Sequence, residues 1–125
     1  MQKLVFESTW DRTLAEKDRN EIERIFSAIN IEGKNEKQVV ILKTAFNHKR
    51  EFLVTVLLNN YFKIPMSLLG KKVVYKEKNR TSGEFESAYT LEIPAETSMP
   101  WTFIFPAGCL IDTPDSGDSG VLIIS

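Results

Sequence analysis

Few side chains in this sequence could perform chemistry. His48 is the sole histidine and Cys109 the sole cysteine among 125 residues. A site built on two imidazoles is excluded, and so is an intrachain disulfide. His48 lies in the polar run Asn47-His48-Lys49-Arg50. A general base needs a nucleophile and an orienting carboxylate within hydrogen-bond reach. Nothing near His48 in the sequence offers them, so it reads as an exposed turn residue. Cys109 follows Pro106-Ala107-Gly108 and precedes Leu110. No neighbouring cation favours the thiolate, and the side chain reads as a buried, inert thiol. Asp112, Asp115 and Asp118 recur at a regular interval. They lack the alternating ligands and closing Glu of a calcium loop and read as a polar connector. No Walker loop, dinucleotide fingerprint, zinc pattern or nucleophile elbow is present. No metal and no cofactor is expected.

Three looser constellations remain. Glu84, Glu86, Glu92 and Asp112 would supply the acid and base of a hydrolase if two of them met in a pocket. Trp10, Trp101 or Tyr89 would stack on sugar rings in a carbohydrate-binding module. Lys71, Lys72, Lys76, Lys78 and Arg80 surround Tyr75, a basic and aromatic mixture of the kind that holds single-stranded nucleic acid. Glu77 interrupts that cluster, and 16 Lys and Arg against 17 Asp and Glu leave a net charge of -1. A near-neutral chain lacks the positive field that a phosphate backbone requires, so no nucleic-acid partner is expected. Lysines that block edge-to-edge sheet pairing explain the cluster equally well. The side chains best able to anchor a protein partner are Trp10 and Trp101, with Tyr75 beside the basic cluster. Trp101, directly after Pro100, is expected to be half-exposed at a strand entrance.

These residues need a scaffold. Hydrophobic residues make up 42% of the chain and charged residues 26%, the balance of a folded domain. The length suits one domain spanning residues 1–125. No apolar run approaches the ~20 residues of a bilayer span. In the opening MQKLVFESTWDR, charge appears too early for a secretory leader, so no signal peptide is expected.

Lys3 to Glu7 reads as a short strand. Thr13 and Glu16 fit a capping box, and Leu14, Ile22, Ile25, Phe26 and Ile29 follow at helical spacing. One helix is therefore expected over about residues 14–29. The remainder, about 38–124, reads as β structure. Glu51 to Leu58 is apolar on both faces, the mark of a central, doubly covered strand. Pro65 places its segment at an edge or bend. A turn is expected over Asn79 to Gly83. Phe85 to Ile93 then alternates cleanly, with Phe85, Tyr89, Leu91 and Ile93 facing one way. Pro94 to Pro100 reads as a turn, Trp101 to Phe105 as an aromatic strand, Asp112 to Gly120 as a flexible loop, and Val121 to Ile124 as the last strand. The expected fold is mainly β: an immunoglobulin-like antiparallel β-sandwich with one N-terminal α-helix packed over one end or edge.

The order of these features resembles the SLAP domain of Firmicutes, over nearly the whole chain. It rests on Trp10 followed by the acidic helix Leu14 to Phe26, on the strand Phe52 to Leu58 ending in Asn59-Asn60, and on the aliphatic stretch Ile64 to Leu69. Its most specific piece is the block Leu91 to Phe105, where Pro100-Trp101 enters an aromatic strand. The tail Asp112 to Ser125 lies outside the resemblance. The resemblance implies a cytoplasmic bacterial protein, a non-enzymatic module linked by analogy to accessory Sec export of surface-layer proteins. Its partner would be an export client or a translocase component. Strand edges bind extended peptides by adding a strand, and an unpaired edge also permits self-pairing, so a monomer or homodimer is expected.

Overall fold

Alternating apolar residues build the β layers of this chain, and a helix covers a face that alternation alone leaves bare. The structure is a computed structural model and describes residues 2–31, 38–77, 80–111 and 120–125. In order they form β1 (Lys3–Leu4), α1 (Ser8–Thr13), α2 (Glu16–Ile31), β2 (Val39–Phe46), β3 (Phe52–Asn60), β4 (Met66–Ser67), β5 (Lys72–Glu77), β6 (Arg80–Glu86), β7 (Glu92–Ile93), β8 (Thr97–Phe105), a 3-10 turn (Ala107–Cys109) and β9 (Val121–Ile124). A four-stranded sheet runs β1-β8-β3-β2, a three-stranded sheet β6-β5-β9, and β4 pairs with β7.

β3 is the axis of the larger sheet, with β2 and β8 antiparallel on either side. Its Phe52, Val54, Val56 and Leu58 join Val73, Tyr75, Phe103, Phe105 and Leu122 in the core between the sheets. Each such large apolar side chain contributes roughly 1.5–3 kcal/mol on burial. Its opposite face carries Leu53, Thr55 and Leu57, with Leu57 fully buried. The second apolar face fits the expectation of a doubly covered strand. Its cover, however, is helical: Leu14, Ile22 and Ile25 line a cavity of about 340 Å³ together with Leu42, Leu53, Thr55 and Thr102. The helical segment therefore lies over a sheet face, where an end or edge position was expected. Sheet-on-sheet packing uses only one face of β3, and the other must be closed from outside.

The N-terminal helix is two helices joined by an elbow. Thr13 does not cap the second; its hydroxyl donates to the Thr9 carbonyl at 2.8 Å as the last residue of α1. Glu7 caps the first helix, α1, accepting from the Thr9 amide at 2.8 Å. Arg19 braces the elbow. Its guanidinium reaches the Asp11 carboxylate at 3.0 Å and lies 4.6 Å from the Phe6 ring centre.

The β4–β5 and β6–β7 segments form one curled ribbon. Ladder pairing at Lys72–Glu86 and Ser67–Glu92 is bridged by bonds from the Leu68 amide to Leu91 and from the Ser87 amide to Lys71. The single strand expected over Phe85 to Ile93 is thus broken at 87–91, although its inward and outward faces persist: Glu84, Glu86, Thr90 and Glu92 are exposed. The turn expected over Asn79 to Gly83 is strand from Arg80 onward. Asn79 lies outside the described residues. Beyond β8 the chain changes sheets, as Leu110 bridges Gly83 and the Ile111 amide donates to Ser82 at 2.7 Å. The result is a mainly β fold of curled sheets. Neither the immunoglobulin-like pair of sheets nor the single helix is reproduced.

Candidate functional site

The larger sheet is complete on one side of β8 and incomplete on the other. β3 pairs with β8 along its whole length, from Phe52–Phe105 to Asn60–Thr97. β1 pairs with β8 only at Thr97 and Ser98, in parallel. The chain then peels away into α1. In an antiparallel ladder, the amide and carbonyl of alternate residues point to opposite neighbours. The Lys3 amide donates to the Glu96 carbonyl, the Val5 amide to the Ser98 carbonyl, and the Ile104 amide to the Tyr89 hydroxyl. Ser98, Pro100, Thr102 and Ile104 therefore direct their main-chain groups away from β3.

This parity explains Pro100, which the sequence reading assigned to a turn. A proline has no amide hydrogen to donate, so a strand tolerates it where that group would face an edge. Past Ser98, no strand among the described residues covers this side of β8.

Beside the open edge runs a groove lined by Glu7, Trp101 and residues 88–92. Trp101 lies on the core side of β8, with Met99 and Phe103, and is half-buried. Its ring meets Tyr89 edge-on, 5.5 Å between centres and 83° between planes. The indole N–H is buried without a hydrogen-bond partner among the described residues. Such a group carries a desolvation penalty until an acceptor reaches it. Glu7 and Glu92 stand at the groove, and neither forms a salt bridge among the described residues. The Thr9 amide bonded to Glu7 holds its carboxyl below the ordinary glutamate value.

The other candidates lie elsewhere. Trp10 lines the cavity between the helices and the sheet, together with Thr102. The two tryptophans thus serve opposite faces of the larger sheet and do not meet in one hollow. Tyr75 is not a surface residue: its exposure is 0%, and its ring packs 4.9 Å from that of Phe52. Residue 75 points inward because β5 alternates, with Val73 and Tyr75 buried. Lys72 alternates to the exposed side and pairs with Glu84 at 3.4 Å. Lys78 lies outside the described residues.

His48 is exposed in the β2–β3 turn, and Cys109 is half-buried in the 3-10 turn. Glu84 and Glu86 line an open groove with Lys72, apart from Glu92. Asp112, Asp115 and Asp118, with the rest of the expected loop at 112–119, lie outside the described residues. Among the described residues no His, Cys, Asp and Glu cluster could hold a metal ion. No helix among them is long and apolar enough to cross a membrane. Sequence reasoning missed Glu7 and the open edge. The one available signal for the edge was a proline inside an otherwise strand-like aromatic run.

Curled sheets, a helical cover and a half-covered strand beside an aromatic groove define a mainly β domain. The chain belongs to the SLAP domain family, whose model matches residues 4–118. No curated protein and no solved structure matches the chain.

Proposed function

We propose that this chain is a non-catalytic protein-interaction module that assists the export or assembly of surface-layer proteins. The reading places it in the cytoplasm of a Firmicute, with an export client or a translocase component as its partner. Membership of the SLAP domain family over residues 4–118 carries this reading. The groove at Trp101 and the open side of β8 both fall within that span and supply a surface suited to a protein. The 83° angle between Tyr89 and Trp101 denies a sugar a flat platform shared by the two rings.

The test is affinity capture from a Firmicute lysate with the intact chain and with Trp101→Ala, followed by identification of the captured proteins. Export clients or translocase components should be enriched by the intact chain and depleted by the variant. Capture of neither class by the intact chain would overturn the reading.

A further inference from the structure

We propose that the open edge of β8, from Trp101 to Phe105, takes up an extended peptide carrying lysine or arginine as a further strand of the larger sheet. The inference rests on the interaction-module reading above and gives it a partner chemistry.

Three observations converge on this edge. The parity of β8 directs both main-chain groups of Thr102 and the Ile104 carbonyl to the side that no described strand covers, whereas Pro100 before them is buried. A peptide laid in line with β1 would meet them in ladder geometry. The groove beside the edge then receives alternate side chains of that peptide against Trp101 and Tyr89. Finally, Glu92 lines this groove with no basic side chain in the lining, and Glu7 beside it adds a carboxylate that Arg12 offsets in part, which favours a cationic peptide.

The opposite edge of the same sheet is defended. β2 carries Lys43, and its register shifts between Ile41 and Lys43. Charge and irregularity are the usual means of blunting an edge. On β8 Ile104 is 40% exposed, and past Ser98 the Tyr89 hydroxyl alone among the described residues occupies a ladder position.

The experiment uses the full chain and a fluorescent peptide of alternating Val and Thr flanked by Lys. Two further versions carry N-methyl groups on complementary sets of alternate amides. Strand addition predicts that the plain peptide and one methylated version bind, and the other does not. Thr102→Pro, which deletes the edge donor, should weaken binding about tenfold. Thr102→Val, which deletes only the hydroxyl, should bind as the parent does. Glu92→Gln should weaken binding a few-fold.

The proposal falls if the plain peptide fails to bind, or if both methylated versions bind equally. It also falls if sedimentation shows a homodimer that Thr102→Pro dissolves, which would give the edge to a second copy. Capture of export partners that persists in Thr102→Pro would overturn the edge proposal alone and leave the interaction module standing.

Discussion

The Ile104 amide donates to the Tyr89 hydroxyl across 3.4 Å, so a side chain fills a ladder position on β8 that no strand fills. The same ring lies 5.9 Å from Phe103 and 5.5 Å from Trp101. Tyr89 thus links the aromatic wall of the groove to the edge of the sheet. Tyr89→Phe keeps the ring and removes the acceptor. The variant should fold with a stability loss of about 1 kcal/mol or less. Its Ile104 amide should exchange with deuterium faster than in the parent. An unchanged exchange rate would show that the hydroxyl does not guard the edge.

Asn60 fastens three chain segments at the end of β3. Its exposure is 1%. Its side-chain amide donates to the carbonyls of Ile64, Ile93 and Pro94 at 2.8, 3.1 and 3.1 Å, and its oxygen accepts from the Phe62 amide at 3.1 Å. Asn60→Ala leaves these groups without their partner in a closed place. We expect a loss of roughly 2–4 kcal/mol in urea unfolding. A loss under ~0.5 kcal/mol, the range of an ordinary surface change, would refute the fastening role.

Gly120 touches the buried Tyr75. A Cβ built at Gly120 would stand 2.0 Å from the Tyr75 hydroxyl oxygen. The hydroxyl itself donates to Glu77 at 3.2 Å, and β9 begins at the next residue. Gly120→Ala should therefore destabilise by about 1–3 kcal/mol, the range of overpacking, and loosen β9 from β5. Tyr75→Phe in the Gly120→Ala background should restore part of the loss. Thermal unfolding of the two variants and the double variant measures this coupling.

The cap at Glu7 gives α1 a dependence on acidity. Bonding to the Thr9 amide lowers the Glu7 pKa in the folded chain. A depressed carboxyl contributes stability above its unfolded pKa and loses it as pH falls through the folded value. Protonation in the acid range should free the Thr9 amide and fray the start of α1. Amide exchange at Thr9 should rise on acidification beyond the intrinsic trend, and Glu7→Gln should flatten that excess.

Side chains that act locally made part of this fold readable from the residues. The two apolar faces of Phe52 to Leu58 identified β3 as central, because the pattern reports burial directly. Asn47 made the β2–β3 turn legible: its side-chain oxygen accepts from the Lys49 and Glu51 amides at 2.9 and 3.0 Å. Thr13 misled, since a capping box and a helix's last residue share the same letters until the elbow is known. Pro100 misled because its meaning depends on which neighbour its missing amide would face. Tyr75 was read with the lysines around it, although in a strand those neighbours point the other way. The candidate site was the least legible part, because an open edge is defined by where β1 departs, and no single residue records that.

Lys3 pairs with Thr97, and Val121 pairs with Lys76. Each match closes a long excursion of the chain before it returns any stabilising contact. Assembly must wait for these distant encounters, which sets the molecule among the slower folders of its size. During that wait β5 lacks β9, and the half-built smaller sheet presents an unpaired main-chain edge to chance association.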